Sequence, residues 1–275
     1  MTRYTRRTRR TLQVTGVGVA ALLALSACSS GSDSSSKKDS SSASKNSAKK
    51  VTGTVTVFAA ASLKESFTTL GKDFEKAHPG TKVTFSFGGS DTLAASITGG
   101  APADVFAAAS PKTMAIVTDK KDAATAPSTF VRNQLEIATL PGNPDNVSSL
   151  KDLTKSGLKV VLCDKTVPCG AAAQKALDAS KLKLTPASYE QDVKSALTKV
   201  ELKEADAAVV YKTDVKAAGG KVDGVEFPES ANAINDYPIA LLKDAPNAAA
   251  AKEFIALVQS AEGQKVLTAA GFLKP

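Results

Sequence analysis

From Val51 onward, strand-like and helix-like segments alternate, and this alternation restricts the fold more than any other feature of the 275-residue chain. TVTVFAA reads as a strand. Ser62 to Ala77 then places Leu63, Phe67, Leu70 and Phe74 at spacings of three or four, the period of a helix with one apolar face. Pro79 and Gly80 end it. KVTFSFG is the next strand, GGSDTLAASITGG a helix entered and closed by glycines, and ADVFAAA a third strand. A helix follows from Ser110, with Pro111 in the first-turn position that suits proline. This order predicts a parallel sheet with helices on both faces. Such sheets take ligands beyond the carboxyl ends of their strands, where helices begin.

A second unit follows the same grammar. QLEIATL and LKVVLC are strands, Cys169 to Ser180 and about Asp192 to Lys203 are helices, and AAVVY is a further strand. DYPIALLKD crosses back, and the last helices cover Ala248 to Ala270. The expected fold class is α/β in two lobes, each a central, mostly parallel sheet flanked by helices, with the ligand cleft between them. The second lobe is inserted in the first, with crossings near Thr129 to Asn133 and Asp236 to Pro238. The expected boundaries are 51–131 plus 238–275 for lobe I and 132–237 for lobe II.

The first fifty residues belong to neither lobe. Five arginines among the first ten residues precede the apolar run VTGVGVAALLAL, which is too short to span a bilayer and fits an export signal. The run ends in LSAC, which resembles the bacterial lipobox; that pattern implies cleavage before Cys28 and a lipid on its thiol. TRRTLQ faintly resembles a twin-arginine signal. Residues 1–27 are thus expected to be a lipoprotein signal peptide, and the Ser/Lys-rich residues 28–50 a flexible tether. The expected location is the outer face of the cytoplasmic membrane, held by the lipid anchor on Cys28.

Charge follows the same division. Of 35 basic and 27 acidic residues, ten and two lie in residues 1–50, leaving 25 of each in the remainder. A domain without net positive charge gives no support to nucleic-acid binding. Cys163 and Cys169, in LCDKTVPCG, favour a disulfide in an exported chain. Two thiols with no local histidine make a poor zinc site.

Enzyme readings find few parts. The single histidine, His78, sits in the HPG that ends a helix, at the far end from Ser62. GxSxG, Walker A and GxGxxG motifs are absent. Asp104 enters a strand with no second carboxylate beside it, and Tyr189, Tyr211 and Tyr237 are dispersed. After residue 10 only Arg132 could form a guanidinium clamp. Ser62, in SLKE, fits a capping box, and Ser90 begins a similar corner after Gly88 and Gly89. Helix starts expose unpaired N–H groups and a partial positive charge, so several converging on one cleft would hold an anion without a cationic side chain.

In this order, VTVFAAASL, FSFGGSDTLAASITGGAPADVFAAAS, VPCGAAAQKAL, QDVKSAL and AVVYKTDV resemble the molybdate-binding proteins of bacterial ABC importers. The resemblance covers nearly all of residues 51–275. It implies the two-lobed periplasmic-binding-protein fold, a protein that is not an enzyme, no cofactor, and molybdate or tungstate as ligand. It implies oxyanion contacts from the hydroxyl and N–H of Ser62 and Ser90, the N–H of Cys169 and Val193, and the phenol of Tyr211. The metal enters only as an oxyanion, not as a bound cation. The sequence has GSD where the family has a serine pair, and Cys169 where the family often has alanine. The implied partner is the membrane permease of an importer, and the implied state is a monomer. Two alternatives are another tetrahedral oxyanion such as sulfate and, more remotely, a serine hydrolase built on Ser62.

Overall fold

A computed structural model describes residues 51–275. The expected signal peptide, the tether and Cys28 lie outside the described residues.

The first strand, β1 (Gly53–Ala60), buries Val55, Val57 and Ala59. It feeds a short 3-10 turn (Ala61–Leu63) and then α1 (Lys64–Ala77). Phe67, Leu70 and Phe74 of α1 are fully buried, at the helical spacing read from the sequence. Phe67 and Phe74 meet Phe254 edge-on, with ring centroids 6.0 and 5.6 Å apart. Burial of each ring contributes about 1.5–3 kcal/mol. The chain continues through β2 (Thr81–Gly88), α2 (Ser90–Thr98), β3 (Val105–Ala107), α3 (Pro111–Asp119) and β4 (Ser128–Asn133).

One residue later, β5 (Leu135–Thr139) opens the second sheet. That unit holds β6 (Val160–Cys163), α4 (Pro168–Ala179), β7 (Ser188–Glu190), α5 (Val193–Glu201), β8 (Ala207–Tyr211), α6 (Lys212–Ala217) and β9 (Asp223–Val225). The return strand β10 (Asn235–Leu241) rejoins the first sheet, and α7 (Ala248–Gln259) and α8 (Ala261–Ala269) close the chain.

The strand orders are β2-β1-β3-β10-β4 and β7-β6-β8-β5-β9. In each sheet four strands point the same way and the fourth in the row runs against them. Those two opposed strands, β5 and β10, are the first that the chain enters after each passage between the sheets. Along β3, Val105 and Ala107 enter one apolar cluster while Phe106 and Ala108 enter another. The first sheet is therefore covered on both faces, as a parallel sheet requires. β7 and β9 have three residues each, too few to leave an alternating pattern, and the sequence reading missed both.

Candidate functional site

The carboxyl ends of the strands turn into helices around one small cavity. Its volume is about 20 Å³. β1 delivers Ala60, Ala61 and Ser62; β2 delivers Gly88, Gly89 and Ser90; Ala109 follows β3. From the second lobe come Val167, Pro168 and Cys169 at the start of α4, Asp192 and Val193 at the start of α5, and Tyr211 at the end of β8. The five residues expected to bind the ligand, Ser62, Ser90, Cys169, Val193 and Tyr211, are thus brought to one place. They are 4, 1, 4, 3 and 1 % exposed, so a group held among them would be stripped of water.

Each position has a local cause. Ser90 is the first residue of α2, and Gly89 before it caps the helix without a side chain. Cys169 follows Pro168, the first residue of α4, and is joined to Cys163 by a disulfide with Cα atoms 5.9 Å apart. Only glycine fits at position 170, because a Cβ there would sit 1.9 Å from the Asp164 carbonyl oxygen. Asp192 accepts from the N–H of Lys194 and Ser195, at 2.8 and 3.0 Å, and from the Ser195 hydroxyl. Its carboxylate is therefore spent on the helix cap, and the Val193 N–H is left outside that cap. The first N–H groups of a helix have no partner within it, so these starts present donors and positive partial charge.

The capping-box reading of Ser62 is corrected by the structure. Ser62 lies inside the 3-10 turn, and its hydroxyl caps neither that turn nor α1. Instead its Oγ lies 2.8 Å from the phenol oxygen of Tyr237. Ser90 is no side-chain cap either; its Oγ accepts from the Ala109 N–H at 3.0 Å. Tyr211 receives an N–H from the side chain of Asn235 at 2.7 Å, and Asn133 donates to the Tyr237 oxygen at 3.3 Å. Burial pushes both phenols above their ordinary value, so they stay protonated. Tyr237, Asn133, Asn235 and Asp192 escaped the sequence reading. The signal that could have found the asparagines is a neutral amide at the end of the first expected crossing, Thr129 to Asn133, and another one residue before the second, Asp236 to Pro238.

Beside the cavity, Lys194 on α5 ties the lobes together. Its Nζ lies 2.9 Å from Glu65 on α1 and 3.1 Å from Asp214 on α6. Asp214 is fully buried, accepts the Tyr211 N–H at 3.1 Å, and so fixes the backbone that carries the phenol. Burial raises the Asp214 carboxyl to about 6, against the opposing pull of Lys194. Burial alone would lower Lys194, but the charges of Asp214 and Glu65 prevail and raise it.

The remaining candidates lie elsewhere. Arg132 pairs with Asp236 at 2.7 Å on the surface and does not line the cavity. Asp104 is buried and accepts the N–H of Thr56 and Asn247, a structural role. His78 packs on Phe74 at the far end of α1, about 20 Å of helix from Ser62, so the two do not form a catalytic pair. Among the described residues, no group of three His, Cys, Asp or Glu side chains is placed to hold a metal ion.

Comparison with known proteins shows the family and the fold. The molybdate-binding protein ModA of Mycobacterium tuberculosis is 42% identical over 221 residues, covering 80% of this chain and 85% of that one. ModA of Escherichia coli is 33% identical over 233 residues, covering 80% and 89%. The solved periplasmic molybdate-binding protein of Azotobacter vinelandii shares the fold, with a TM-score of 0.70 at 22% identity over 80% of this chain and 99% of that one. A family model described as bacterial extracellular solute-binding protein matches residues 55–273. The chain therefore belongs to the bacterial extracellular solute-binding proteins.

Proposed function

We propose that the protein captures molybdate or tungstate outside the cytoplasmic membrane and delivers it to the permease of an ABC importer. The observation that carries this reading is the convergence of Ser62, Ser90, Cys169, Val193 and Tyr211, from five separate segments, on one cavity whose lining holds no cationic side chain. Two kinds of support accompany it: relatives named for molybdate binding and membership of the bacterial extracellular solute-binding proteins.

A buried dianion must be hydrogen-bonded on every oxygen, because an unpaired buried charge is very costly. Three hydroxyls and fixed backbone N–H groups can do this with no proton changing hands. Selectivity then follows from size and proton count. Sulfate is smaller than molybdate and fills the cavity less well. Phosphate at neutral pH carries a proton, and the one carboxylate in the lining, Asp192, already serves the cap of α5.

In this reading lobe I comprises 51–131 plus 238–275 and lobe II comprises 132–237, with the anion closing the hinge between them. The monomeric protein hangs from a lipid on Cys28, and residues 28–50 give the lobes reach to the permease. Among the described residues no helix is long and apolar enough to cross a membrane. Calorimetry of the purified protein with molybdate, tungstate, sulfate and phosphate tests the proposal. Tight binding of the first two, weak binding of sulfate and none of phosphate is expected. Sulfate or phosphate binding as tightly as molybdate overturns it.

A further inference from the structure

Three charged side chains follow the outline of the cavity from outside. Glu65 lies three residues after Ser62, Lys194 one after Val193, and Asp214 three after Tyr211. Each is therefore carried by the same turn as an expected ligand contact. Lys194 Nζ joins them, 2.9 Å from Glu65 and 3.1 Å from Asp214. The two carboxylates are unlike. Asp214 is fully buried, belongs to the lysine's own lobe, and accepts the Tyr211 N–H with its other oxygen. Glu65 is half-exposed and belongs to the opposite lobe. When the lobes part, the Lys194–Asp214 pair stays whole and the Lys194–Glu65 pair breaks.

Open space flanks the pair that breaks. A crevice of about 430 Å³ shares Ala61 and Asp192 with the cavity and has Lys194 in its wall. Another, of about 160 Å³, shares Ser62 and has Glu65 in its wall. The ion pair has one end on each crevice and so bars the seam between the lobes. Away from the crossings, one other side-chain bond joins the lobes among the described residues: Thr166 Oγ1 lies 3.3 Å from Asp91. That hydroxyl has a single proton, and Asp164 of its own lobe is nearer, at 2.9 Å. The charged pair is the stronger link.

We propose that Lys194 is a positioning residue that works as a latch: Asp214 holds it ready in lobe II, Glu65 receives it as the lobes close, and the bond sets how long the ligand stays bound. This rests on the reading of the cavity as an oxyanion site. Lys194 does not line that cavity, so the latch leaves recognition of the anion to the hydroxyls and N–H groups. Opening must break the latch before the ligand leaves. Entry into an open cleft comes before the latch is made, so the bond acts on dissociation and leaves association alone. A free lysine would lose rotamer freedom on closing. One already pinned by Asp214 loses less, and more of the bond's strength goes into holding the lobes shut.

The test follows release of radiolabelled molybdate into an excess of unlabelled molybdate at pH 7, with affinity from calorimetry. It compares the parent, Glu65→Gln and, as a control for net charge, Glu253→Gln on α7. Glu65→Gln keeps the Lys194–Asp214 pair and so leaves no buried charge unpaired. Its release is expected to quicken by about five- to tenfold, between the worth of an exposed ion pair and that of a hydrogen bond to a buried charge, and its affinity to fall by the same factor. Added salt should speed release from the parent more than from Glu65→Gln, because it screens the pair. A role for Glu65 confined to the charge at the start of α1 would lower the unfolding temperature and leave release unchanged. Folded Glu65→Gln that releases molybdate at the parent's rate overturns the inference, and so does a loss of affinity that comes entirely from slower association. Equal quickening in Glu253→Gln traces the effect to net charge and overturns it as well. A parent that binds neither molybdate nor tungstate overturns the functional reading, and the inference falls with it.

Discussion

Gly89 offers a way to perturb closure of the lobes without touching the donors. Its φ and ψ of −60° and 130° suit any residue, so alanine there carries no backbone strain. A Cβ at this position would nevertheless lie 2.5 Å from the Gln191 carbonyl oxygen and 3.3 Å from Val167 Cγ1, both in the second lobe. The first distance falls about 0.9 Å short of ordinary contact, and the atom it meets is backbone at the entrance to α5. The third neighbour, Asp91 Oδ1 at 2.7 Å, is the end of a side chain in the same lobe and can rotate away. Pushing Gln191 also moves the Val193 N–H, two residues on. Overpacking of this kind costs about 1–3 kcal/mol, which is about 5- to 150-fold in dissociation constant. The clash exists only when the lobes meet. Gly89→Ala should therefore weaken molybdate binding by that factor in calorimetry, while the unfolding temperature without anion stays level or rises slightly, as the unfolded chain loses freedom. Parent-like affinity would refute the reasoning. So would a loss of anion-free stability as large as the loss of affinity, since that would place the clash inside one lobe.

Other perturbations separate the remaining parts of the account. Ser62→Ala and Ser90→Ala should each weaken molybdate binding by about 1.5–3 kcal/mol in calorimetry, as expected for hydrogen bonds to a charged group. Ser90→Ala should also lower the unfolding temperature, because it leaves the Ala109 N–H without its acceptor; unchanged affinity in both variants would remove them from the site. Replacing Cys163 and Cys169 together by serine should destabilise the fold by about 2 kcal/mol in urea titration, the chain-entropy value for so short a loop. The affinity should fall less, because the Cys169 contact is a backbone N–H. Asp214 supplies a pH dependence: its carboxyl is raised by burial from 3.8 to about 6. Its protonated form therefore favours the folded state, and that contribution is present below pH 3.8 and lost as pH rises through about 6, roughly 3 kcal/mol in all. The unfolding temperature of the parent should accordingly fall relative to Asp214→Asn between pH 4 and pH 7, and a constant difference would show that Asp214 titrates normally.

The legible part of this molecule is the part set by local periodicity. The spacing of Leu63, Phe67, Leu70 and Phe74 marks a helix because only one face of it can be buried. The strand-to-helix corners at Ser62 and Ser90 could be read because a serine follows an apolar run and opens a helical period, whereas Cys169, Val193 and Tyr211 entered only through the family resemblance. What the sequence concealed are contacts across long separations. Ser62 and Tyr237 are 175 residues apart, and nothing local says that a phenol will replace the helix cap suggested by SLKE. Lys194 was one of many lysines on helical faces until folding set it between Glu65 and a buried Asp214. Asn133 and Asn235 likewise acquire meaning only when β4 and β10 lie side by side.

A crystal structure of the protein grown with tungstate, with the metal located by its anomalous scattering, tests the central claim most directly. The account predicts one tungsten site between the lobes, its oxygens within hydrogen-bonding distance of Ser62 Oγ, Ser90 Oγ, the Tyr211 phenol and the N–H groups of Cys169 and Val193. A tungsten site elsewhere, or one held by lysine side chains on the surface, would contradict it.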